Sequence, residues 1–166
     1  LLHYQVGVQE NIGIFAPNSP QWTMVDMAAA HLRACAVPIY ATNTADQAAY
    51  IINDANIRIL FVGEQEQFDK IQQIKEKCPQ LQQVVVFNEE LVKEKNPFVV
   101  SLSQFIALPQ GKNYTEELEK RFAQRNLRDI YTIIYTSGTT GNPKGVLIDY
   151  ENVAYQLINH DERLTV

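Results

Sequence analysis

The chain has 166 residues, 46% of them hydrophobic, and its 14 basic against 19 acidic side chains leave a net charge of −5 and a pI near 5.2. That length suits one domain with a substantial core, and the acidic balance argues against a nucleic-acid or anionic-membrane partner. No apolar run approaches the roughly 20 residues of a bilayer span and no signal peptide opens the chain, so the expectation is a cytoplasmic protein, at most peripheral at a membrane.

In chain order, Asn11 to Ala16 reads as a short strand with Ile12 and Ile14 directed to one side. Asn18-Ser-Pro-Gln opens a helix, Ser19 as N-cap and Pro20 at the first helical position, and Trp22, Val25, Ala29 and Leu32 recur at helical spacing as a core face. Val37 to Tyr40 is the next strand. Thr44-Ala-Asp-Gln47 is a capping box for a helix that buries Ala48, Ile51, Ile52 and Ala55. Arg58 to Val62 has the unbroken apolar run of a strand covered on both faces. Phe68, Ile71, Ile74 and Cys78 mark the inner side of a helix that Pro79 ends.

Val84 to Phe87 is a fourth strand, and Glu89 to Asn96 is a charged, exposed connection. Phe98 to Val100 is ambiguous, Ser101-Leu-Ser-Gln-Phe-Ile suggests a helical turn, and Pro109 to Asn113 is a surface connection. Tyr114 to Asn126 is an amphipathic helix with Leu118 and Phe122 inward, its lysines and arginines interleaved with Glu116, Glu117 and Glu119 as a solvated face. Ile130 to Tyr135 and Val146 to Ile148 read as buried strands, and Glu151 to Asp161 begins another helix. Strands alternating with helices predict an α/β fold, a mainly parallel sheet with helices on both faces and ligands near the loop-bearing strand ends. Cys35 and Cys78 have no paired spacing and are expected as buried free thiols, and the scattered His3, His31 and His160 suggest no protein-held metal.

The densest chemistry lies in Tyr135-Thr-Ser-Gly-Thr-Thr-Gly-Asn-Pro-Lys-Gly145. Gly138, Gly141 and Gly145 allow the backbone to approach a ligand and expose N–H donors to an anion. Thr136, Ser137, Thr139 and Thr140 add hydroxyls for phosphate or a metal's oxygen shell, and Lys144 adds a mobile cation. Such residues also build ordinary hairpin turns, and Asn142-Pro143 alone reads as one. Four hydroxyls followed by a lysine favour a phosphate-binding loop. It is not a Walker A sequence: Pro143 precedes Lys144 where that pattern has glycine, and Gly145 stands where it has Ser or Thr. With strands on either side, no helix N-terminus stands behind the loop, so binding leans on its own amides, hydroxyls and lysine.

Ile133-Ile-Tyr-Thr-Ser-Gly-Thr-Thr-Gly-Asn-Pro-Lys144 resembles, at every position, the AMP-binding signature of the adenylate-forming enzymes. Val37-Pro-Ile-Tyr-Ala-Thr-Asn-Thr44, Gln47, Tyr50-Ile-Ile-Asn-Asp-Ala55 and Ile59-Leu-Phe-Val-Gly-Glu-Gln65 are similar to the long-chain fatty acyl-CoA synthetase branch, and the resemblance runs from about Asn11 to Asn152. It implies two steps: ATP and a carboxylic acid give an acyl-adenylate and pyrophosphate, and coenzyme A then takes the acyl group. It implies that Thr136, Ser137, Gly138, Thr139, Thr140, Gly141 and Lys144 wrap the ATP phosphates, with Thr136 helping to hold the bridging Mg²⁺. No residue is assigned as catalytic, because a carboxylate is already ionised at neutral pH and needs no general base.

The chain opens on Leu1-Leu-His-Tyr and stops at Leu164-Thr-Val166, which leads us to expect a piece of a longer protein. Residues 1–166 would then be a single α/β part of the family's large N-terminal domain, without the C-terminal lid. The family's adenine motif, acyl tunnel, hinge and lid lysine lie downstream, so these residues alone are expected to be inactive. Asp149-Tyr150 stands where relatives often carry Thr-His, which puts in doubt any contact made by that histidine. Two other readings stay open: an adenylation domain for an amino or aryl acid, and a nonenzymatic nucleotide-binding module.

Overall fold

The computed structural model describes residues 1–92, 96–136 and 142–163, with side chains through His160. Seven strands form one sheet: β1 (Asn11–Phe15), β2 (Cys35–Ile39), β3 (Ile59–Val62), β4 (Gln83–Val86), β5 (Val99–Ser101), β6 (Ile130–Thr136) and β7 (Lys144–Asp149). Their spatial order is β5-β4-β3-β1-β2-β6-β7. All neighbours run parallel except β6 and β7, which form an antiparallel hairpin. The expected α/β class and mainly parallel sheet are therefore what the chain adopts.

Local signals account for the helices. In α1 (Pro20–His31), Ser19 Oγ accepts from Trp22 N–H at 3.2 Å and Pro20 takes the first helical position. In α2 (Ala45–Asp54), Thr44 and Gln47 close the expected capping box in both directions, at 2.9 and 3.3 Å. α3 (Gln65–Ile74) begins with the Gln67 side chain accepting from Glu64 N–H, and a 3₁₀ turn at Lys75–Lys77 carries the chain to Cys78 and Pro79. The suggested turn after Ser101 is a helix, α4 (Leu102–Ala107), with its own Ser101–Gln104 capping box. α5 (Thr115–Ala123) and α6 (Tyr150–Arg163) complete the set.

The sheet is covered on both faces. Phe15, Val37, Ile39, Leu60 and Val62 point to α2 and α3, where they meet Ile51, Ile52, Ile71 and Ile74. The alternate residues Ile12, Ile14, Ile59 and Phe61 point to the other side, against Val25, Ala29 and Leu32 of α1 and Leu102 and Phe105 of α4. This alternation follows from the strand's period of two, and each buried aliphatic side chain contributes roughly 1.5–3 kcal/mol relative to exposure.

Three expectations about burial are corrected. From Ile130 to Tyr135, β6 buries only Thr132 and Tyr135, the others being half-buried beside the edge strand β7. Val146 to Ile148 does form a strand, but an exposed one: β7 is the sheet's edge, and Val146 and Leu147 are 47% and 59% exposed. A run of apolar residues sets strand formation, whereas burial depends on what lies over it. Phe122 also turns outward, 53% exposed, and stacks loosely on His31 with Arg125 over its ring at 4.0 Å. Leu118, its partner in the expected inward pair, is half-buried against the α1 side of the core.

Candidate functional site

Because β6 is parallel to β2, its last residue, Thr136, lies at the same carboxyl edge of the sheet as the ends of β1 to β5. Ligands of open α/β sheets gather at that edge. Lys144 opens β7 directly opposite, since the hairpin pairs Thr136 with Lys144 and Tyr135 with Gly145. Both Thr136 and Lys144 are exposed, and among the described residues no carboxylate pairs with the ammonium. A hydroxyl and a cation therefore face each other at the mouth of the hairpin. The other predicted contacts, Ser137, Gly138, Thr139, Thr140 and Gly141, lie outside the described residues.

Gly145 is needed there for close approach. A Cβ at that position would come 2.8 Å from Ile133 Cγ2 and 3.2 Å from Tyr135 Cζ, so a larger residue would force those side chains to shift.

Several residues that fix β6 are absent from any local motif. Ile130 N–H donates to Gln9 Oε1 at 2.6 Å, while Gln9 Nε2 donates to Ile130 O at 3.3 Å, giving a two-way clasp across 121 residues. Arg33 forks onto Asp129 with Nε–Oδ2 of 2.7 Å and a second bond of 3.1 Å. That guanidinium, through its hydrogen bond first, holds the Asp129 carboxyl below the usual carboxylate range. Thr132 Oγ1 donates to Ala36 O at 2.8 Å, and Tyr131 OH donates to Asp26, whose carboxyl is pushed up by burial against that bond's opposing pull. The stem of the hairpin is thus tied at its start to the turn before β1, to α1, to the α1–β2 connection and to β2.

At the position where the resemblance departs, Asp149 and Tyr150 have structural work. Asp149 Oδ1 accepts from Asn152 N–H at 2.8 Å and Asn152 Oδ1 accepts from Asp149 N–H at 3.2 Å, a reciprocal cap for α6. Tyr150 OH donates to Ala30 O at 3.3 Å and its ring lies 5.4 Å from that of Tyr131.

The remaining candidates behave as buried matter. Cys35 and Cys78 are buried free thiols, and burial pushes the Cys35 thiol up to about 12. Among the described residues no cluster of His, Cys, Asp or Glu has metal-holding geometry, and no helix is long and apolar enough to cross a membrane. An apolar cavity of about 480 Å³ opens among α1, α4 and α5, with Met24, Leu102, Phe105 and Leu118 in its wall, but neither Thr136 nor Lys144 borders it.

Fold and hairpin together define an α/β protein with Thr136 and Lys144 at the sheet's carboxyl edge. The chain belongs to the AMP-binding enzyme family, which it matches over residues 1–165. It is 34% identical over 145 residues to a long-chain-fatty-acid–CoA ligase (ACSBG2) of Xenopus laevis, covering 87% of this chain and 19% of that protein. Long chain acyl-CoA synthetase 4 of Arabidopsis thaliana is 35% identical over 161 residues, covering 89% of this chain and 22% of that one. The chain thus spans about a fifth of the length of these relatives. Among solved structures, the anthranilate CoA ligase AuaEII in complex with anthranoyl-AMP superposes with a TM-score of 0.73 at 24% identity, over 96% of this chain and 29% of that one, a likeness of fold.

Proposed function

We propose that this chain is part of an ATP-dependent long-chain fatty acid–CoA ligase and contributes its phosphate-binding loop. The observation that carries the reading is the facing pair Thr136 and Lys144 at the carboxyl edge of the sheet. Two sequence relatives named as long-chain acyl-CoA ligases or synthetases support the substrate class. Residues 1–166 would form a single α/β part of the large N-terminal AMP-binding domain, with the C-terminal lid elsewhere in the protein. A cytoplasmic location, with peripheral membrane association to reach fatty acids, suits this role.

In this reading the amides and hydroxyls of residues 136–141 and the Lys144 ammonium hold the triphosphate of ATP. The fatty acid carboxylate attacks the α-phosphorus, pyrophosphate leaves, and the CoA thiol then displaces AMP from the acyl-adenylate. Two anions must meet in the first step, so cationic and N–H groups aimed at the departing phosphates lower its barrier. Lys144 suits that task because among the described residues nothing else claims its charge. Mg²⁺ fits as a companion of the nucleotide: Thr136, exposed at the end of β6, would offer it one neutral oxygen, and the metal would supply charge neutralisation at the phosphates.

The test is acid-dependent pyrophosphate exchange into ATP by the full-length protein, over a panel of short- and long-chain fatty, amino and aryl acids. Long-chain fatty acids are expected to drive it best. Replacing Thr139, Thr140 and Lys144 together by alanine is expected to lower exchange about 100-fold or more. An amino or aryl acid as the best substrate would overturn the substrate class, and no exchange with any acid would overturn the enzyme reading.

A further inference from the structure

Tyr135 immediately precedes Thr136, yet it points away from the loop mouth into the core. It is 5% exposed and packs with the α2-side cluster. Its hydroxyl donates to Asp54 Oδ2 at 2.6 Å, across 81 residues. Asp54 is the last residue of α2, where a carboxylate opposes the helix dipole and weakens the helix. A residue that is unfavourable for its own helix has its use in the bond it accepts. On the hairpin's other arm, the place a Cβ would take at Gly145 is 3.2 Å from Tyr135 Cζ and 3.4 Å from its hydroxyl. One ring therefore bears on the second stem of the hairpin while its tip is fixed to α2.

We propose that Tyr135 and Asp54 are positioning residues: their hydrogen bond clamps both stems of the hairpin to α2 and so sets where Thr136 and Lys144 meet the nucleotide's phosphates. The inference rests on the phosphate-loop reading. Neither side chain touches the nucleotide in this arrangement. Burial, and then the bond to Asp54, raise the phenol's pKa well above its ordinary value, so the donor keeps its proton throughout the neutral range.

The experiment uses the full-length protein with Tyr135→Phe, Asp54→Ala and Asp54→Asn, and measures two half-reactions. Adenylation is followed as pyrophosphate exchange against ATP concentration, and thioesterification as acyl transfer from a supplied acyl-adenylate to the CoA thiol with release of AMP, which needs no triphosphate. The clamp predicts that Tyr135→Phe and Asp54→Ala raise the KM for ATP by about fivefold to tenfold, since small displacements of positioned groups are costly, and leave acyl transfer unchanged. Asp54→Asn keeps a carbonyl oxygen to accept from the phenol and is expected to restore the ATP KM to within about twofold of wild type. An unchanged ATP KM in both Tyr135→Phe and Asp54→Ala, or an equal fall of both half-reactions, overturns the clamp. If Tyr135→Phe does not fold, Asp54→Ala at the exposed helix end decides alone. Normal exchange in the Thr139, Thr140, Lys144 triple variant would instead remove the loop reading itself.

Discussion

Arg33 and Asp129 show how a site can depend on residues that never approach its ligand. Their side chains are 14% and 11% exposed, and the Arg33 backbone stands in the left-handed region at φ 57°. Truncating Arg33 to alanine leaves a mostly buried carboxylate without its cation, expected to cost about 3 kcal/mol in chemical denaturation at neutral pH. The pH dependence has a definite sign. Asp129 has a folded pKa below its unfolded value near 3.9, so its contribution is present above that value and is lost as pH falls through the folded pKa. Asp26 runs the other way: its folded pKa is raised by burial, so its contribution is present below the unfolded value and is lost as pH rises through the folded one. Asp129→Asn is therefore expected to be less stable than wild type at pH 7 in chemical denaturation, with the gap closing as pH falls through the folded pKa. Asp26→Asn is expected to lose the stabilising contribution that protonation of Asp26 makes as pH falls, read as a denaturation midpoint that gains less than wild type's on mild acidification. Neither Arg33–Asp129 nor the Gln9–Ile130 clasp was legible in the sequence. Partners 96 and 121 residues apart leave no local pattern, whereas the loop's glycines, hydroxyls and lysine are adjacent.

The β6–β7 hairpin sets local preference against packing. Gly145 sits in a strand, where valine has the better intrinsic preference, and propensity alone would favour Gly145→Val. Contact decides otherwise, because Ile133 Cγ2 stands 2.8 Å from where the new Cβ must go. Overpacking of this kind costs about 1–3 kcal/mol, so Gly145→Val is expected to lower the melting temperature of the full-length protein and raise its ATP KM. Adding Ile133→Ala to Gly145→Ala should recover part of the stability that Gly145→Ala alone loses. The same contrast separates what the sequence disclosed about elements from what it did not. Ser19-Pro20 and Thr44 with Gln47 announced α1 and α2 because caps are made by neighbours. The outward turn of Phe122 and the bare face of β7 were misread because helical or apolar patterning names a face without naming what covers it.

Across the chain, apolar surface is unevenly covered. The α2–α3 side of the sheet is closed, but Leu147 on β7 and Tyr155, Leu157 and Ile158 on α6 are 59%, 70%, 65% and 60% exposed. Large apolar side chains exposed in this number mark an interaction face or an aggregation liability. The relatives it matches are about five times as long as this chain, and in a protein of that length the economical cover is the remaining polypeptide. That assignment predicts opposite signs for one double substitution. Residues 1–166 expressed alone should self-associate in sedimentation velocity, and Leu147→Lys with Ile158→Lys should shift them toward monomer. In the full-length protein the same pair would place two ammonium groups under a covering surface and is expected to lower the melting temperature by several degrees, roughly the effect of 1–3 kcal/mol in a large domain. A pair that leaves the full-length melting temperature unchanged would show that β7 and α6 face solvent there too, and the exposed face would then have to belong to a separate partner.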